Sequence, residues 1–222
     1  MPQPQSPFAQ DIANLYNLVL IIAAGILLLV TGLVLYMIVR FRDRGAGGEP
    51  RPNFGDRRLE IAWTVAPALI LVVVLALTIP TMASETPDPP VAPQTPFLQV
   101  TGHQFWWEVV YPQAGVRTAN EIHIPTGQRL LVELHAADVI HDFWVPALGP
   151  KMDMIPGQTN YMWLQADHPG IYQGECAEFC GAEHAWMRFQ VVAEPQAAWA
   201  QWAAAQHGPA APVAATANLT QG

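Results

Sequence analysis

Only two cysteines occur in this chain, so neither a multi-disulfide scaffold nor a four-cysteine zinc site can be built from it. No Cys-x-x-Cys-His is present, which excludes a covalently attached haem. Basic residues are also scarce, ten lysines and arginines against eighteen acids, a balance that disfavours nucleic acid. Charge is missing altogether from residues 16–39 and 61–83. At about 1.5 Å per residue, uncharged runs of this length span a bilayer core, and a soluble core helix would show a polar face. Two membrane helices are expected, with Pro67 near the start of the second, where a lost donor does least harm.

Six of the ten basic residues, Arg40, Arg42, Arg44, Arg51, Arg57 and Arg58, sit between these runs. By the positive-inside rule that loop, 40–59, is cytoplasmic, and both termini are outside. Residues 1–15 then form an extracytoplasmic segment and 16–84 a transmembrane hairpin. The first run has no basic segment before it and is too long for a signal peptide, so it is expected to be retained. Beyond residue 84, thirteen acids face Arg117, Arg129, Lys151 and Arg188, a net of −9. Such a surface disfavours nucleic acid and suits a basic partner.

Residues 85–96 are dense in proline and read as a stiff linker. From 97 to 195, short β-branched and aromatic runs broken by Gly and Pro predict an antiparallel sandwich or barrel. The runs are FLQVTGHQFWWEVVYP, EIHIPTGQRLLVELHA, DFWVPALG, QTNYMWLQA and AWMRFQVVAE. In 196–222 the first half suits a short helix, and the Ala- and Pro-rich second half a disordered tail.

Both cysteines lie in GECAEFCGAEHAWM, giving Cys176, Cys180, His184 and Met187 within twelve residues. A disulfide needs neither the histidine nor the methionine. Two thiolates, an imidazole and a thioether form a soft donor set that selects copper. One Cys with His and Met would describe a mononuclear site; two suggest sulfurs shared between two metals, one histidine short. Of seven histidines, His141 is the favoured candidate, ahead of His135, His103, His123 and His168.

A two-helix hairpin followed by a sandwich carrying HDFWVPALGPKMDMIPG and GECAEFCGAEHAWM closely resembles subunit II of the haem–copper cytochrome c oxidases. The resemblance runs to about residue 194. It implies a cupredoxin-like Greek-key sandwich holding a dinuclear copper centre, CuA. Cys176 and Cys180 would bridge the coppers, His141 and His184 would cap them, and Met187 and the Glu178 carbonyl would be weak ligands. The Glu178 side chain would reach a magnesium or manganese ion shared with subunit I. LEIAWTVAP resembles the opening of the family's second helix, which implies that Glu60 marks the mouth of a proton path. TGHQFWWEVVY resembles the aromatic segment beneath the cytochrome c docking surface. The family commonly has tryptophan where Phe105 stands, so Trp106 or Trp107 could share the electron path. Asp138 and Asp142 are candidate docking acids.

Implied too are cytochrome c and the other oxidase subunits as partners, oxygen reduction coupled to proton translocation in the complex, and a bacterial inner-membrane location. The tail is similar to linkers that precede a fused cytochrome domain. A Sco-type copper chaperone also uses Cys-x3-Cys with a distant histidine, but has one anchor and a thioredoxin-like domain. A quinol oxidase subunit should lack the copper ligands, and a nitrous oxide reductase needs a large further domain.

Overall fold

A computed structural model describes residues 3–42, 52, 54–87 and 95–206. Much of the Arg-rich loop, with Arg44 and Arg51, most of the proline-rich linker, and the tail from 207 on lie outside the described residues. The chain divides into two compact units, residues 11–84 and residues 1–10 with 85–222.

Helix α1 is Pro7–Arg40 and helix α2 is Arg57–Glu85. At 34 and 29 residues, both are long and apolar enough to cross a membrane, and their apolar side chains are largely exposed. That is what lipid-facing helices require, since all backbone polar groups are paired within each helix. Helix α1 starts nine residues before the apolar run, so residues 7–15 of the expected N-terminal segment are helical. The cause is a local cap: Ser6 Oγ accepts from the Ala9 N–H at 3.0 Å, and Pro7, which lacks a donor, takes the first helical position. Ser6 Oγ also donates to the Leu148 carbonyl at 2.5 Å, and Phe8 is buried beneath the Arg129 guanidinium. The N-terminal residues are thereby stitched to the β unit.

That unit has ten strands: β1 Leu98–His103, β2 Trp106–Tyr111, β3 Val116–Ala119, β4 Glu121–Pro125, β5 Leu130–Ala136, β6 His141–Trp144, β7 Met152–Met154, β8 Asn160–Leu164, β9 Gly170–Cys176 and β10 Arg188–Glu194. They form two sheets, β3-β2-β1-β5-β8 and β4-β10-β9-β6-β7. The expected sandwich is present, but it is mixed and not purely antiparallel. β1 runs parallel to β5 and β10 parallel to β4. Both parallel pairs follow from strands changing sheets. The β3–β4 crossing is made at Asn120, which adopts φ 60° and serves both sheets. Its Oδ1 accepts from the Trp107 N–H of β2 at 2.8 Å, and its carbonyl accepts from the Gln190 N–H of β10 at 3.0 Å.

Alternation sends one face of each strand inward. Leu98, Val100, Trp107, Val109, Ile122, Leu134, Phe143 and Val191 are wholly buried. Trp107 meets Phe143 edge-on at 5.8 Å and Phe189 at 5.1 Å, placing a dense aromatic floor at one end of the core. A third helix, α3 Gln196–Ala205, belongs to this unit and carries it past the expected boundary at 195. Trp202 stacks on His123 at 4.0 Å and Trp199 Nε1 donates to the His123 carbonyl at 3.1 Å.

Candidate metal centre

The site is built on β9, β10 and the loop between them. Register pairs Gly174 with Phe189, and the Phe189 ring occupies the space a Cβ at 174 would need, so only glycine lets the strands close there. One turn of the pleat later, Cys176 points inward as β9 ends. Its N–H donates to the Met187 carbonyl at 3.2 Å, closing the neck of a loop that must then return within ten residues. Gly181, at φ +136°, makes the reversal, and a 3-10 turn over His184–Trp186 presents His184 and Met187 back toward the cysteines. From the neighbouring strand β6, His141 enters the same space, fully buried. Gly102 of β1 leaves room for it; a Cβ there would lie 2.8 Å from His141 Cδ2.

The donors converge in two groups. Cys176 Sγ stands 3.8 Å from His141 Nδ1 and 3.3 Å from the Glu178 carbonyl oxygen. Cys180 Sγ stands 3.6 Å from His184 Nδ1 and 3.7 Å from Met187 Sδ. Between the groups the sulfurs are 3.9 Å apart, and both cysteines are free. A disulfide would hold them at about 2.05 Å. Two sulfurs sharing one metal at about 2.3 Å each can be at most about 4.6 Å apart, and the observed separation falls inside that limit. The donor set therefore fits metal and not a cystine. His141, Cys176 and Cys180 alone already bring one ligand atom each within 4.8 Å of one another.

Electrostatics sharpen the contrast between the two thiols. Burial works against a charged Cys176, but hydrogen bonds from His141 and from the backbone of Asp142 and Glu178 outweigh it and bring the thiol down to about 6. Cys180 is buried and faces that negative sulfur, which pushes it up to about 12. Its proton leaves readily only when a cation takes its place. Burial lowers His141, yet Cys176 and Asp138 together raise it. Asp138 Oδ1 accepts from His141 Nε2 at 2.8 Å, which orients the ring with Nδ1 turned toward the sulfurs.

The other sequence candidates are distributed differently. Trp107 is buried in the aromatic floor and its Nε1 donates to the Met187 carbonyl at 3.3 Å. Trp106 is 39% exposed and stacks on His103 at 4.4 Å. The Phe105 ring lies against Gly181. Glu178 keeps its side chain exposed while its carbonyl faces Cys176. Glu60 sits in the first turn of α2, in the other unit. Asp142 is 2% exposed, hence no surface acid; burial and the neighbouring Asp153 push it up to about 7. The rival histidines face elsewhere: His135 bonds Glu133 at 2.6 Å, and His123 lies between Glu121 and Glu194. Sequence reasoning missed Gln104, Gly102 and the bond from His141 to Asp138. The only signal for Gln104 is its place inside TGHQFWW.

Between β1 and β10 the sole helical turn among the described residues is the short one at His184, so the alternating helices of a thioredoxin-like copper chaperone are not there. The family model described as cytochrome c oxidase subunit II, transmembrane domain, matches residues 1–81, and the one described as cytochrome c oxidase subunit II, periplasmic domain, matches residues 113–194. Cytochrome c oxidase subunit 2 of Alkalihalophilus pseudofirmus is 40% identical over 206 residues, covering 90% of this chain and 59% of that protein. This chain thus spans little more than half the length of that relative. The Cereibacter sphaeroides subunit 2 is 31% identical over 235 residues, covering 89% of this chain and 76% of the relative. Among solved structures, the periplasmic domain of subunit II from Bradyrhizobium japonicum is 29% identical, with a TM-score of 0.49 over 52% of this chain and 96% of that one. With both family models matched and a relative of similar extent, the chain belongs to the cytochrome c oxidase subunit II family.

Proposed function

We propose that this chain is the electron-accepting subunit of a cytochrome c oxidase, taking electrons from cytochrome c at a dinuclear copper centre and passing them to subunit I for oxygen reduction. The observation that carries the reading is the pair of buried, unjoined sulfurs 3.9 Å apart, each with its own imidazole and one weaker donor. Cys176 and Cys180 would bridge, His141 and His184 would cap, and Met187 and the Glu178 carbonyl would complete the two sets. Copper bound there supplies a one-electron couple. The chain's own part is rigidity and dryness. Met187 and His141 are at most 1% exposed, His141 and Cys176 sit on paired strands, and the loop that carries the other ligands is closed at its neck by the Cys176–Met187 bond, so little moves when the charge changes.

The exposed Glu178 carboxylate suits a hard cation such as magnesium or manganese at a subunit I contact. Trp106, Phe105 and Trp107 line the β1–β2 turn beside the site and are the proposed electron path. Glu60 is the proposed mouth of a proton path in the assembled complex. The family assigns the β unit to the periplasm and the helices to the membrane; a bacterial inner membrane with both termini outside is the topology the Arg-rich loop supports.

Copper analysis of the purified full-length chain tests the reading. Two coppers per chain are expected, with the electron paramagnetic resonance of one unpaired electron shared by both, and loss of that signal in Cys176→Ser. A wild-type chain that takes up no copper and holds Cys176 joined to Cys180 would refute it.

A further inference from the structure

The β1–β2 turn does more than line the site: we infer that Gln104 is a positioning residue which ties the two ligand-bearing segments of the metal centre, the start of β6 and the β9–β10 loop, to one another. The inference rests on the copper reading above. Two separate atoms of Gln104 carry it. Its side-chain Nε2 donates to the Cys180 carbonyl at 2.5 Å, holding the peptide that follows one of the two sulfurs. Its backbone N–H donates to Asp138 Oδ2 at 2.7 Å, while the other oxygen of that carboxylate accepts from His141 Nε2 at 2.8 Å. One residue thus reaches a sulfur ligand on the β9–β10 loop and, through Asp138, a histidine ligand on β6.

The packing around Gln104 removes the slack. A Cβ on Gly181 would lie 3.0 Å from Gln104 Nε2 and 3.0 Å from Phe105 Cζ. The amide and the phenyl ring therefore both press on the Cys180–Gly181 peptide, at the residue whose φ of +136° turns the loop toward His184. The same segment touches the site twice more. Gly102 faces the His141 ring, and Trp107 Nε1 holds the Met187 carbonyl. Residues 102–107 accordingly contact His141 and its partner Asp138 on one side, and Cys180 and Met187 of the β9–β10 loop on the other. This gives the aromatic segment a structural task independent of any role as an electron path: its one amide side chain, at a residue that stays solvent-exposed, is held by the loop.

The chemistry follows from where the hydrogen bonds end. A donor on the Cys180 carbonyl fixes the peptide plane next to the sulfur, and with it the sulfur's direction. A donor on Asp138 leaves that carboxylate only one orientation in which to receive His141. Loss of such outer contacts commonly weakens metal binding 10- to 100-fold.

Gln104→Met is the test, because methionine keeps the length, the packing on Gly181 and the backbone N–H, and removes only the donor to Cys180. In the copper-loaded full-length chain, Gln104→Met should change the copper hyperfine pattern and speed copper loss to a copper(I) chelator about tenfold. Far-ultraviolet dichroism should match wild type. His135→Gln, on the outer face of the same sheet, should alter neither readout. A Gln104→Met spectrum and release rate equal to wild type would overturn the inference, as would a variant that loses only thermal stability. Failure of the wild-type chain to bind copper would instead refute the parent reading.

Discussion

Gly102→Ala is the smallest change that should reach the metal centre without touching a ligand. The new Cβ would lie 2.8 Å from His141 Cδ2, 3.0 Å from Cγ and 3.3 Å from Cβ. Neither side yields easily. β1 is paired to β2 on one edge and to β5 on the other, so the strand cannot back away. The imidazole is fully buried and pinned by Asp138 at 2.8 Å. Overpacking of this kind costs about 1–3 kcal/mol, and a ring forced about 30° off its rotamer costs about 0.5–1.5 kcal/mol. For a unit of this size, about 2 kcal/mol lowers the melting temperature by roughly 6–9 °C. Calorimetry of the metal-free full-length chain in detergent measures that loss, and paramagnetic resonance of the copper-loaded chain should show an altered hyperfine pattern. Gly127→Ala separates space from strain. Gly127 has φ +74° and nothing within 4 Å of the added atom, so the variant should lose about 1–2 kcal/mol with its copper spectrum intact. If Gly102→Ala melts with wild type and gives the wild-type spectrum, the account of how His141 is held is wrong.

The fold and its charge distribution predict three further outcomes. Trp202→Ala removes the indole stacked on His123 at 4.0 Å and should cost about 2 kcal/mol in a melt while leaving the copper spectrum unchanged; an unshifted melt would refute the docking of α3. Glu121 is held below the usual carboxylate range chiefly by its hydrogen bond with His123. Its folded pKa is depressed, so the stabilisation is present above the unfolded value of about 4.3 and lost as pH falls through the folded one. Glu121→Gln should therefore lower the melting temperature at pH 7 and flatten its fall below pH 5; acid limbs parallel to wild type would count against the bond. Cytochrome c oxidation by the assembled complex should slow as ionic strength rises, because the outer unit is strongly acidic; a salt-independent rate would remove steering.

Features encoded over short stretches were legible in the linear chain. Membrane spans announce themselves through uncharged length alone, and Cys176, Cys180, His184 and Met187 lie within one loop, where spacing is already geometry. Most strands could be read from their alternation, whereas β3, β7 and β9 could not. The last of these, GIYQGEC, has glycines and polar residues where a strand signal should be, because its glycine at 174 exists to admit Phe189. Ser6 as the cap of α1 was equally hidden behind the stronger apolar signal ten residues on.

What only the tertiary structure decided is everything that depends on sheet pairing. His141 is separated from Cys176 by 35 positions, and Gln104 from Cys180 by 76. Local pattern favours His141 over His135 only weakly, since both occur in β-rich sequence; the fold turns one into the core and leaves the other against Glu133. Asp138 and Asp142 look alike as loop acids, yet one bonds a histidine at the site and the other is buried beside Asp153. A side chain's chemistry is written in its own residue, but its partners are set by strand register, and register is a property of two distant segments at once.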